Sequence, residues 1–370
     1  MDLAEPGFVG RPAPEGGGLK LRFYSEFTTY NPGHRYHVNN LAKAYWNDRT
    51  NEERKQVYGE WVELFEYEPD ITKADLCLLT YYWNYYVDHN RVFEAESEVR
   101  AAKAAGKPMV VFNGGDFPAN VPFEDVILFE SAGYRSTPGL RYHSAQPSYI
   151  DDYLHTYCGG NLNLREKREV PVIGFCGQAS NSPFETAYRN FRLKERQKQY
   201  RQGKLKWEPP PFETTSFRSR VLKSFEKPGL KTNYLARKKY KAGKSKTMTP
   251  DSQEKLDFVS NILESDYTVC MRGGGNFSVR FYETLCLGRI PIFIDSDCLL
   301  PFQDEIDYKA IFPWIDINDL PHAAEIVLDF HKKLSSEEFI ALQKMCRYLW
   351  GEHMMPDGFY KDFVKKMQSQ

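Results

Sequence analysis

Residues 267–302 read YTVCMRGGGNFSVRFYETLCLGRIPIFIDSDCLLPF. Tyr267 to Met271 is a short apolar run, suited to a strand covered on both faces of a parallel sheet. Three glycines, Gly273 to Gly275, turn the chain; Ser278 to Leu287 carries helical spacing and stops at Gly288; Ile290 to Ile294 is a second buried strand. Strand, turn, helix, strand is the repeating unit of an α/β layer fold.

The same alternation extends outward in both directions. Upstream lie strand-like LKLRFYS from Leu19, a helical stretch Asn39 to Asn47, strand-like ADLCLLTY at 74–81, a helix Glu94 to Ala105 closed by Gly106, and PMVVFN at 108–113. PVIGFC at 171–176, ending at Gly177, opens a second series, with a helix at 251–263 leading into the quoted stretch. Phe339 to Trp350 and Gly358 to Met367 read as closing helices. A chain of 370 residues exceeds one ordinary core. Two α/β domains facing a cleft are therefore expected: 1–168, with 1–18 a loose leader, and 169–350. Residues 351–370 form a helix that could return to the first domain.

With 41% apolar, 15% aromatic and 27% charged residues, and no apolar run of membrane-spanning length, the chain reads as soluble and globular. The start lacks the basic and apolar regions of a secretory signal, so a cytoplasmic setting is expected. Seven cysteines in apolar surroundings, without CxxC or His/Cys ligand spacing, read as reduced core thiols. The net charge of −1 conceals an imbalance: residues 185–250 hold 19 Lys and Arg against 5 Asp and Glu, leaving about −15 for the remainder. This basic stretch, roughly 188–246, reads as an insertion of ambiguous pattern. Arg237, Lys238 and Lys239 beside Tyr234 and Tyr240 could hold nucleic-acid phosphates, but a solvated face is the preferred reading. A bound acidic glycan or lipid diphosphate is the next, with peripheral membrane contact as its corollary.

The quoted stretch also carries chemistry. Gly273, Gly274 and Gly275 allow close backbone approach, and a helix beginning near Asn276 or Ser278 offers free N–H groups and a positive dipole end. Arg272 adds a planar, permanently charged donor fork, so a diphosphate fits. Arg280 and Glu283 share a helix face, and the Glu283 carboxylate could accept from both hydroxyls of a ribose. The plain alternative is a flexible turn followed by a surface ion pair.

The segment resembles the signature of exostosin-type glycosyltransferases, through Cys270, Arg272, Gly273, Ser278, Arg280, Phe281, Glu283, Gly288, Ile290-Pro291, Asp295 and Leu300-Pro301-Phe302. Weaker echoes are Ala74-Asp75-Leu76, Tyr82-Trp83-Asn84 with Asp88-His89, Phe112 to Asp116, and Phe175-Cys176-Gly177. The resemblance implies a GT-B architecture: two Rossmann-like lobes, the nucleotide-sugar donor on the second, the acceptor mainly on the first, and inversion without a metal. Arg272 and Arg280 would face the diphosphate, Glu283 the ribose, and Gly177 the cleft. A UDP-linked donor and a glycan or lipid-linked glycan acceptor are expected, in polysaccharide synthesis. The chain departs from animal members in lacking a membrane anchor and in its basic stretch.

Inverting transfer needs a base for the acceptor proton and positive charge for the leaving diphosphate, a task that suits Arg272. Asp116, after a strand and two glycines, is favoured as base over Asp88 and His89, although an aspartate closing a turn is its plainer reading. Two rivals stand beside this expectation. Asp295 and Asp297 form a DxD that could hold a divalent ion on the donor, and the fold could serve a non-catalytic glycan-binding or scaffold protein.

Overall fold

The computed structural model describes residues 20–237 and 252–369, apart from Tyr30, Asp48, Pro118, Ser180 and Asn181. The expected leader, the start of the helix expected from Asp251, and Lys238, Lys239 and Tyr240 lie outside the described residues.

The first unit runs β1 (Leu21–Tyr24), α1 (Asn40–Tyr45), α2 (Asn51–Tyr58), β2 (Phe65–Tyr67), β3 (Leu76–Leu78), α3 (Trp83–Asp88), α4 (Val92–Ala104), β4 (Met109–Asn113), β5 (Ile127–Glu130), β6 (Tyr142–Ala145) and α5 (Tyr153–Cys158). The second runs β7 (Val172–Gln178), α6 (Pro183–Arg201), α7 (Thr214–Ser224), β8 (Lys231–Arg237), α8 (Gln253–Glu264), β9 (Tyr267–Cys270), α9 (Val279–Cys286), β10 (Ile290–Asp295), α10 (Tyr308–Ile311), β11 (Trp314–Asp316), α11 (Ala323–Lys333) and α12 (Ser336–Leu349). A last helix, α13 (Pro356–Gln368), follows.

Each unit is built on one parallel sheet. The orders are β2-β1-β3-β4-β5-β6 and β11-β10-β9-β7-β8. Renumbered from its own first strand, the second sheet runs 2-1-3-4-5, and the first has the same order with one strand more. Both units are thus doubly wound, Rossmann-like layers, as the resemblance implies. Burial explains the continuous apolar runs: every residue of β4, β9 and β10 is buried, because helices cover both faces of these strands.

The basic stretch differs from expectation. It supplies α6, α7 and the edge strand β8, which pairs in parallel with β7 from Val172↔Lys231 to Gln178↔Arg237, so part of it belongs to the sheet. KTNYLAR hid this because an edge strand with no buried residue shows no apolar face. The closing helix α13 lies on the first unit: Tyr360 stacks on Trp61 at 4.0 Å, Phe363 packs on Phe65 and Phe129, and the Asp357 carboxylate accepts from the Trp61 N–H at 2.8 Å. Conversely α5 packs on α9, and Arg347 of α12 holds its N-cap Asp152 at 2.7 Å.

Candidate functional site

In a doubly wound sheet the crevice opens at the carboxyl ends of the strands where their order reverses. In the second unit that point lies between β7 and β9. The loops leaving these strands, Gly177–Gln178 and Met271–Gly275, both line a cavity of about 450 Å³. The guanidinium of Arg218 on α7 ties the two loops together, its Nε donating to the Arg272 carbonyl at 3.2 Å and its Nη1 to the Gln178 carbonyl at 3.3 Å. Ser278, at the N-cap of α9, makes no side-chain cap bond, so that helix opens onto the same cavity with its first turn uncapped, apart from the Phe281 N–H, which donates to the Ser278 carbonyl at 3.0 Å.

Arg280 lies in the wall of this cavity. Its Nη2 donates to the Cys176 carbonyl at 2.6 Å, and its plane covers the Phe175 ring at 4.3 Å. Burial holds its pKa below the ordinary arginine value, with Cys270 and Glu283 acting in the opposite sense. Gly177 makes this arrangement sterically possible: a Cβ there would stand 2.7 Å from Arg280 Nη2. Glu283, also in the wall, accepts from Tyr153 Oη at 2.9 Å and faces Lys255 Nζ at 3.5 Å. Lys255 donates to the same phenol oxygen and lies over the Tyr153 ring. Burial, and then Glu283 itself, push the Tyr153 phenol far above its usual value, which keeps it a donor.

Arg272 turns to the other side of the glycine loop. It is 3% exposed and lines a second cavity of about 210 Å³, which shares Asp116 and Gly274 with the first. Its contacts are weak: 3.4 Å to Tyr134 Oη and 3.5 Å to the Gly274 carbonyl, with Tyr134 and Phe212 rings nearby. Among the described residues neither Arg272 nor Arg280 makes an ion pair, and the Nε of each is buried without a partner. A buried and a half-buried cation therefore flank the loop with donors to spare.

The glycines are needed for space. None of Gly273, Gly274 and Gly275 has a left-handed φ, yet a Cβ on Gly275 would stand 2.5 Å from the Asp116 carbonyl oxygen. The loop therefore meets the first unit backbone to backbone. Asn276 secures the junction, donating to the Gly133 carbonyl at 3.1 Å and the Asp297 carbonyl at 3.0 Å. Asp295, 2% exposed, accepts from Arg135 Nη2 at 2.8 Å, Trp314 Nε1 at 3.1 Å and the Cys298 N–H at 3.0 Å, while Asp297 accepts from Ser136 Oγ. The DxD thus forms a latch between the units.

The sequence-predicted residues divide accordingly. Asp116, Gly177, Gly273, Gly274, Gly275, Ser278, Arg280 and Glu283 line the first cavity, whereas Arg272 and Asn276 line the second together with Asp116 and Gly274. Asp88 and His89 lie on the surface at the end of α3 and line neither; His89 packs against His34, His37 and Tyr85. Sequence reasoning missed Lys255, Tyr153, Arg218 and Glu130. Glu130, at the end of β5, faces the second cavity and is held by Asn113 Nδ2 at 2.7 Å and His143 Nε2 at 3.0 Å. Each arrives from a distant element without a motif; only the apolar run before Glu130 could have signalled a strand end.

Residues 212–329, which hold α7 to β11, match the exostosin GT47 domain. Over 97 residues the chain is 29% identical to Exostosin-1 of Drosophila melanogaster, which is 26% of this chain and 12% of that protein. Over 94 residues it is 21% identical to a protein of Arabidopsis thaliana named "Probable glycosyltransferase", 25% of this chain and 20% of that one. The chain thus spans a fifth or less of these curated relatives. Among solved structures it is similar to an α,α-trehalose 6-phosphate synthase from Burkholderia multivorans, at TM-score 0.36 and 12% identity over 91% of this chain and 81% of that one. A glycosyltransferase from Rickettsia africae gives TM-score 0.36 and 8% identity over 95% and 98%. The resemblance read from the glycine stretch and its flanks is therefore matched by the exostosin GT47 family over residues 212–329 of the second unit.

Proposed function

We propose that this protein is an inverting glycosyltransferase that moves a sugar from a nucleotide-diphosphate donor to a glycan or lipid-linked glycan acceptor, in cytoplasmic synthesis of a polysaccharide. The observation that carries this reading is the pair Arg272, which is buried, and Arg280, which is half-buried, each with an unpartnered buried Nε and without a carboxylate partner among the described residues, on either side of a glycine loop at the strand-order reversal. Cations so placed call for an anion supplied from outside the chain.

The donor diphosphate lies across the loop, between the two guanidinium groups and the free N–H groups at the start of α9. Its ribose hydroxyls donate to Glu283, which Tyr153 and Lys255 hold in place. The acceptor occupies the second cavity, where its hydroxyl oxygen attacks the anomeric carbon. The bond from that carbon to the diphosphate breaks, the electron pair leaving on phosphate oxygen beside Arg272, and the hydroxyl proton passes to a carboxylate. Asp116 is the first choice as base, and Glu130 is its rival because it faces the same cavity on an oriented side chain. A metal-independent reaction is part of the proposal, supported by the protein donors that already occupy Asp295 and Asp297. The cytoplasmic setting is supported by seven free cysteines. A lipid-linked acceptor would bring the protein to a membrane surface through its basic stretch.

The test is a thermal-shift screen against uridine, guanosine and cytidine diphosphate sugars, followed by donor hydrolysis with and without chelator. One sugar nucleotide should raise the midpoint of the natural protein and fail with Arg272→Ala, and chelator should leave turnover unchanged. Equal shifts with and without Arg272 would remove the donor site, and chelator-sensitive turnover would restore a metal role for Asp295 and Asp297.

A further inference from the structure

The helix α6 presents two unlike faces. Its inner face docks on the cleft: Leu193 is buried, Arg196 lies over the Trp207 ring at 4.6 Å, Gln197 donates to the Pro210 carbonyl at 2.9 Å, and Tyr200 lines the second cavity. On its outer face Phe184, Tyr188 and Phe191 are 89%, 64% and 61% exposed. Steps of four and three residues keep them in one line, and Lys194 and Lys198, both exposed, continue that line. The stripe is roughly 21 Å long at about 1.5 Å per residue.

Single exposed apolar residues are ordinary, but three large aromatic rings in register on one helix are not. Elsewhere among the described residues the large exposed aromatics, Tyr36, Phe93 and Tyr348, are isolated. The charge around the stripe is predominantly positive: Arg192, Lys194 and Lys198 are exposed against the single half-buried Glu195, and Glu185 is spent on Arg189 at 2.6 Å. Over the whole chain, the basic stretch containing α6 opposes a remainder of about −15, an asymmetry that would orient the protein toward a negative surface.

We propose that the outer face of α6 is a monotopic docking surface for an anionic membrane, with the three rings entering the headgroup boundary and the lysines pairing with lipid phosphates. Rings beside lysines on one helical stripe are the composition of interfacial helices. Because the inner face of the same helix lines the second cavity, docking holds that cavity near the bilayer. The inference does not depend on the transfer reaction.

The full chain is to be sedimented with vesicles of phosphatidylcholine alone and of phosphatidylcholine with phosphatidylglycerol, three to one, at low and high salt. Binding should require phosphatidylglycerol, weaken with salt, and fall at least tenfold in a combined Phe184→Ser, Tyr188→Ser, Phe191→Ser variant. Lys194→Glu with Lys198→Glu should remove most of the salt-sensitive part, and both variants should keep the natural thermal midpoint. Undiminished vesicle binding by the aromatic variant overturns the proposal, as does failure of the natural chain to bind. A concentration-dependent dimer of the natural protein, lost in the aromatic variant and unaffected by vesicles, would assign the face to a second copy and overturn it equally.

Discussion

Gly177→Ala adds a single carbon to the wall of the larger cavity. That carbon would sit 2.7 Å from Arg280 Nη2, so the guanidinium has to withdraw by roughly 0.7 Å to reach ordinary contact. Gly177 has no left-handed φ, so alanine brings no backbone strain, and the effect passes through Arg280. The 2.6 Å bond from Nη2 to the Cys176 carbonyl stretches toward its limit. A hydrogen bond with a charged donor is worth about 1.5–3 kcal/mol, so donor affinity should fall by about one to two decades if the guanidinium also meets the diphosphate. Calorimetry with uridine diphosphate measures this, beside Arg280→Ala and the double variant. A double variant no weaker than Arg280→Ala alone is the expected result. Unchanged affinity in Gly177→Ala, or strictly additive losses, would refute the reasoning, because either would mean that Arg280 does not convey the change to the ligand.

Three other outcomes follow from the geometry. Glu283→Gln should weaken uridine diphosphate roughly tenfold or more while leaving inorganic diphosphate within about threefold, with Lys255→Met producing a smaller loss of the same kind; equal losses for both ligands would take Glu283 away from the ribose. Of Asp116→Asn and Glu130→Gln, the one that lowers transfer by about 10²–10⁴ at unchanged donor affinity marks the base, and a pair of near-natural rates would exclude both. Glu98, whose carboxyl burial raises to about 8, binds more protons folded than unfolded. Its contribution is full below the ordinary glutamate value and is lost as pH rises toward 8; on the order of 2 kcal/mol for a half-buried group, it should disappear in Glu98→Gln when thermal unfolding is compared at acidic and alkaline pH.

The second unit was legible where burial is two-sided. Val269, Cys270, Ile292 and Ile294 are covered above and below, so their apolar runs announce strands directly, and the helix between them ends at a glycine with left-handed φ. β8 was not legible, because an edge strand with no buried residue has no periodicity to read. Candidate site residues divide along the same line. Arg280 and Glu283 belong to a contiguous motif and could be named from it, and Gly177 closes a separate short echo, whereas Lys255, Tyr153 and Glu130 reach the cavities from other elements, a juxtaposition that only the folded chain creates. The side of the loop toward which Arg272 points was equally hidden, since that depends on where Tyr134 and Phe212 lie.

The seam between the units ties these features together. Gly275 meets the backbone of Asp116, Asn276 spans to Gly133, and Arg135 reaches across to Asp295. A pair such as Arg135 with Asp295, one partner buried and the other exposed, adds little net stability, because desolvation and screening offset most of its attraction; what it can fix is register. The register fixed here lies between the glycine loop that Arg272 and Arg280 flank and the first-unit segments that carry Asp116 and Glu130. A residue that reads in sequence as a possible metal ligand therefore stands, in the fold, as an anchor that sets the distance between the glycine loop and the two candidate bases. At the end of β10 the Asp295 and Asp297 carboxylates accept from Arg135, Trp314, the Cys298 N–H and Ser136, and the contacts to Arg135 and Ser136 hold the two units in one arrangement.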